Sequence, residues 1–295
     1  MNENENKFPD YVTFPRTFEK YKWYKPLIIL VLVAILYFVF QIILAVLFNT
    51  IYGGNVIGGI VYGGYETLNT SDASVYFSYL SIAMLIPAMY LASKIVRDRP
   101  FSSYASSRGG WNWKIYFKCL LIPFVIYVIY LAISFLMGNE SGGSAHVSVI
   151  ALVLSLVIIP FQSIAEEYMF RGFLMQTFGS WFKIPIVAII IQAILFAMGH
   201  SYNYLGVISV GVSGFIYGFL AWRTNGLEAS SAIHSINNLM SLYVVALGLS
   251  SISSSMAIWE VIISILITLI SAMAVYYVGN KKGWFNEKTS ESKLI

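Results

Sequence analysis

"SVIALVLSLVIIPFQSIAEEYMFRGFLMQTF", Ser148 to Phe178, is an apolar run long enough to cross a bilayer, broken by Glu166, Glu167 and Arg171. A membrane helix needs only about 20 apolar residues. Charges inside one are costly unless they are paired or functional. The stretch therefore reads as a transmembrane helix that carries part of a site, and the rest of the chain is read outward from it.

The chain of 295 residues is 58% hydrophobic and 11% charged, with a mean hydropathy of +0.73. Soluble domains carry about a quarter charged residues, so this chain lacks the polar groups to cover a water-facing surface. Apolar runs at 26–48, 74–96, 115–137, 148–178, 184–200, 204–222, 227–247 and 257–279 predict eight spans. The expected fold is an all-α polytopic membrane protein with a buried polar site between spans 4, 5 and 7. Residues 1–25 are expected to be a cytoplasmic amphipathic tail, 26–279 the membrane domain, and 280–295 a second cytoplasmic tail.

The basic residues give the orientation. Loops 49–73, 138–147, 201–203 and 248–256 contain no Lys or Arg, so all 18 basic residues fall on one side of the eight-span scheme. Positive charge marks the cytoplasmic side, which puts both termini there. A multi-pass integral membrane protein is expected, in the plasma membrane if the source is bacterial. The net charge of +4 is modest and implies no nucleic-acid partner, and the single Cys119 excludes an intrachain disulfide. The lipid bilayer is the partner that composition requires.

Within the spans the ionisable residues singled out are Glu166, Glu167, Arg171, His200, His234 and Glu260. Glu167 and Arg171 stand four apart on one helical face, in the favourable acid-before-base order. They read as a supporting ion pair. Glu166 is turned about 100° away and reads as the unpaired carboxylate. The plainer alternative is that all three form one neutralising cluster that keeps the helix in register. "FAMGH" sets Phe196 and His200 on one face, and "HSINN" does so for His234 and Asn238. Glu260, near the outer end of span 8, reads as structural. Gly214 and Gly218 make a G-x-x-x-G face suited to close helix packing. For Glu166 and His200 to meet, helix 4 must run on past Arg171, which places the site at middle depth and opening to the cytoplasm.

"EEYMFR" (Glu166–Arg171), "FAMGH" (Phe196–His200) and "HSINN" (His234–Asn238) together resemble the E-E-x-x-x-R, F-x-x-x-H and H-x-x-x-N motifs of the CAAX-protease and bacteriocin-processing family. That family of intramembrane endopeptidases includes the Ras-converting endopeptidase, and the likeness covers roughly 160–240. The resemblance implies hydrolysis of a peptide bond in a membrane-associated or lipidated protein or peptide. By position, Glu166 would activate water with His200, His234 and Asn238 would stabilise the oxyanion, and Glu167 and Arg171 would support them. No cofactor is needed for that set. Zinc stays open as an alternative, with Glu166, His200 and His234 as its ligands. Two other functions also stay open: a non-catalytic immunity or envelope scaffold of the same fold, and a proton-coupled transporter.

Overall fold

The computed structural model describes residues 8–52, 72–136, 148–247 and 255–287. Among these the regular structure is helical, with α1 Lys25–Tyr52, α2 Asp72–Ala83, α3 Leu85–Val96, α4 Ser102–Ala105 and α5 Trp113–Leu136. α6 spans Val149–Phe182, followed by α7 Pro185–Met198, α8 Tyr204–Thr224, α9 Glu228–Ala246 and α10 Ile258–Lys281. Each expected span falls on helix, yet six helices are long and apolar enough to cross a membrane by length and composition. The other two differ for physical reasons. α7 is short, and α9 carries Glu228, Ser230, Ser231, His234, Ser235, Asn237 and Asn238 in place of hydrocarbon.

Local chemistry sets the boundaries. The Ser148 hydroxyl caps α6 by accepting from the Ala151 amide at 3.1 Å, and Asn203 caps α8 through the Gly206 amide at 2.9 Å. Lys183 and Asn225 take left-handed backbone angles (φ 61° and 55°) that end α6 and α8. The second span is two helices because Pro87 has no amide hydrogen and crowds the carbonyl four residues back, at Ala83, where α2 stops. α6 does continue past Arg171, as the sequence requires. It does so with a π-helical stretch, Tyr168–Met175, directly after the two glutamates, a device often found at functional sites. Glu260 has the structural part expected of it, accepting from the Ala257 amide at 2.7 Å at the start of α10.

The end of the bundle that holds the basic residues is packed shut. Arg108 and Glu228 form a fully buried ion pair at 2.5 Å, and Glu228 also accepts from the Asn112 amide at 3.0 Å. Ser106 and Gly226 make an isolated antiparallel bridge beside them. The segment expected as a surface tail is wedged into this end. Tyr11 and Val12 are buried, and the Tyr11 hydroxyl donates to the Tyr104 carbonyl at 2.5 Å. Arg16 reaches the Ser180 carbonyl at 3.0 Å, and the Trp222 indole donates to Asp10 at 2.7 Å.

Candidate active site

α6 runs toward the basic end, and α9 runs away from it. Gln162 and Ser163 precede Glu166 and Glu167 by one helical turn, so α6 presents a carboxylate layer and, one turn further from the basic end, an amide–hydroxyl layer. α9 answers with His234 and Asn238, also one turn apart. His234 meets the carboxylates, with Nδ1 3.0 Å from Glu167 Oε1 and Nε2 3.2 Å from Glu166 Oε2. Asn238 meets the other layer, its Nδ2 donating to Gln162 Oε1 at 3.0 Å and to Ser163 Oγ at 3.3 Å.

Glu167 Oε1 is also 3.0 Å from Arg171 Nη1, and both side chains are fully enclosed. The expected pair is present. The Arg171 guanidinium lies over the Phe196 ring at 4.2 Å and near Tyr217 at 5.3 Å. Its Nη2 donates to the Gly214 carbonyl at 3.2 Å, which also accepts from Gln192 Nε2 at 2.9 Å. A Cβ on Gly214 would come within 3.0 Å of Phe196, and one on Gly218 within 2.5 Å of Gln192. The two glycines therefore let α8 press onto α7 and leave room for the arginine.

Aromatic rings fix the histidines. His234 is stacked on Tyr217, with centroids 5.1 Å apart and planes at 24°, and Phe196 meets it edge-on at 5.7 Å and 90°. His200 lies just past the end of α7, with Nδ1 2.8 Å from the Phe196 carbonyl. A carbonyl only accepts, so that nitrogen carries the hydrogen and a neutral ring keeps Nε2 as an acceptor. Tyr202 stacks on the same ring at 6.1 Å.

The expected partnership of Glu166 with His200 is not a direct contact. Glu166 touches His234 because α9 packs against α6 at its level, whereas His200 stands beyond the α7 terminus. Exposure also differs from the expected opening. Glu167 and Arg171 have none, Glu166 and His234 have 7% and 3%, and His200 and Asn238 are half-buried. Access thus increases away from the basic end, which the packed loop 97–112 and the N-terminal segment close. Among the described residues no three of His, Cys, Asp and Glu gather so as to hold a metal ion. Of the zinc set Glu166, His200 and His234, only Glu166 and His234 are in contact. Gln162, Tyr217 and the Arg108–Glu228 pair were not singled out in the sequence. Their spacing offered a signal for one of them: Gln162 sits four residues before Glu166 on the same face.

Fold and site together define a multi-pass membrane protein with an enclosed Glu–His cluster carried by α6 and α9 and packed against aromatic rings of α7 and α8. Residues 148–240 match the family described as Type II CAAX prenyl endopeptidase Rce1-like, which spans these elements and all three motifs. The resemblance to the CAAX proteases is therefore borne out over the segment that builds the site. The chain is also 26% identical over 254 residues to the uncharacterized protein YyaK of Bacillus subtilis (strain 168), covering 79% of this chain and 84% of that one. No solved structure matches it.

Proposed function

We propose that the protein is an intramembrane endopeptidase that cleaves a membrane-associated or lipidated protein or peptide with a water activated by Glu166. The observation that carries this reading is the contact of Glu166 with His234 at 3.2 Å in a site otherwise neutralised by Glu167 and Arg171. The arginine is spent on Glu167, and Glu166 keeps its carboxylate for a water proton. His200, its Nδ1 committed to a carbonyl, offers Nε2 to the same water. His234 is fixed through Nδ1 by Glu167, as the orienting carboxylate of a triad fixes its histidine. A carboxylate only accepts, and His234 has Glu167 at Nδ1 and Glu166 at Nε2. In its doubly protonated form the Nε2 hydrogen, with the Asn238 amide, is therefore suited to stabilise charge developing on the carbonyl oxygen. Glu166 then returns its proton to the leaving amine.

Of the three candidate zinc ligands Glu166 and His234 touch and His200 stands apart from them, and we favour metal-independent chemistry on that ground. Purified protein is expected to cleave a labelled peptide in bilayer nanodiscs, to keep that activity after exhaustive treatment with a zinc chelator, and to lose it in a Glu166→Ala variant that still inserts. Activity lost on chelation and restored by zinc would decide for a metalloprotease. Cleavage unchanged in Glu166→Ala would remove the glutamate mechanism.

A further inference from the structure

We propose that Gln162 is a positioning residue of this site, which holds one carboxamide hydrogen of Asn238 and so aims the second at the carbonyl under attack. The proposal rests on the proteolytic reading above.

Gln162 is 3% exposed within an apolar helix, where a carboxamide is costly unless its hydrogen bonds are made. Its Oε1 accepts from Asn238 Nδ2 at 3.0 Å and from the Ser163 hydroxyl at 3.2 Å. Two donors from two directions leave the glutamine little freedom. The Asn238 nitrogen carries two hydrogens in one plane, so fixing one fixes the line of the other. The acceptor within reach of that second hydrogen is Ser163 Oγ at 3.3 Å, the longer contact of the two. A developing oxyanion accepts more strongly than a neutral hydroxyl and draws it away, while the bond to Gln162 keeps the amide in place. The helix geometry favours this division. Glu166 and Gln162 on α6 oppose His234 and Asn238 on α9 at two successive levels, so Gln162 does for Asn238 what Glu167 does for His234. None of the three sequence motifs includes it.

The test is a double-mutant cycle on purified protein with a labelled membrane peptide, reading kcat and KM separately. Gln162→Leu is expected to lower kcat roughly 10- to 100-fold through misplacement of the amide. KM stays within about twofold, and melting in detergent stays near wild type. Asn238→Ala is expected to lower kcat about 100-fold, and the double variant to be no slower than Asn238→Ala alone. Gln162→Met, matched in length, takes the place of leucine should that variant fail to accumulate. A kcat for Gln162→Leu within about twofold of wild type, or losses that multiply in the double variant, would overturn the role of Gln162. Absence of cleavage by the wild-type protein would instead remove the proteolytic reading beneath it.

Discussion

Glu167 serves two partners through one oxygen, Arg171 and His234, each at 3.0 Å. Removing one member of a buried ion pair leaves the other charge unpaired, at a cost of about 3–5 kcal/mol, whereas replacing both by apolar groups is often close to neutral. Glu167→Gln is therefore expected to reduce the amount of folded protein, through the stranded Arg171. Glu167→Leu combined with Arg171→Met should restore accumulation while leaving turnover low, because His234 Nδ1 has lost its acceptor. Expression level and activity per folded molecule read the two effects separately. Recovery of both in the double variant would show that His234 does not depend on Glu167. At this scale the sequence was most legible where charge sits in hydrocarbon, which is why Glu166, Glu167, Arg171, His200 and His234 stood out. Tyr217 and Gln162 did not. Neither carries a charge, and only the approach of α8 and α9 shows that one lies beneath His234 and the other holds Asn238.

Helix positions could be read from hydropathy, since each span had only to satisfy the bilayer. What joins the helices at the basic end could not. Tyr11, Val12 and Phe14 sit in a stretch rich in charge, and nothing local distinguishes a surface tail from a wedge. The partner surface decides it, and Gly179 near the end of α6 makes the space. A Cβ there would collide with the Val12 side chain and with its carbonyl, and backbone cannot swing aside as a side-chain tip can. Gly179→Ala is thus expected to lift the N-terminal segment from α6, freeing Arg16 from the Ser180 carbonyl. The cost is about 1–3 kcal/mol, in the range of other overpacked cores. Limited trypsin digestion should then cut at Arg16 and Lys20 faster than in wild type, at a lower melting temperature. Unchanged cleavage would mean that the segment tolerates the displacement. The π-helical stretch after Glu167 was equally hidden, since no residue pattern marks it. Gly172 lies against the Tyr104 carbonyl, which a Cβ would approach to 2.8 Å.

Across the whole molecule the apolar exterior and the basic end act together. Side chains such as Phe38, Leu121 and Met198 are 66%, 62% and 74% exposed, a surface that only lipid covers at low cost. Lys20, Lys114, Lys183, Arg223 and Lys281 are all placed at one end of the bundle. An orientation with that end outward would put these exposed cations on the wrong side of the positive-inside bias. We therefore expect the basic end to face the cytoplasm, and this can be tested without knowing the substrate. Positions 71, 254 and 290, which the loop pattern suggests for labelling, lie outside the described residues. Ser255, exposed before α10, and Lys20, exposed on the N-terminal segment, serve instead. In a Cys119→Ser background, Ser255→Cys should react with a membrane-impermeant thiol reagent added to intact cells. Lys20→Cys should react only after permeabilisation. Cys119 is itself fully buried, so its removal lowers background without disturbing the exposed surface. Labelling of Lys20→Cys in intact cells with protection of Ser255→Cys would invert the orientation. It would also move the half-exposed His200 and Asn238 to the cytoplasmic half of the bilayer. With the expected orientation they lie in the outer half, and a substrate reaching Glu166 must enter from that side or laterally through the lipid.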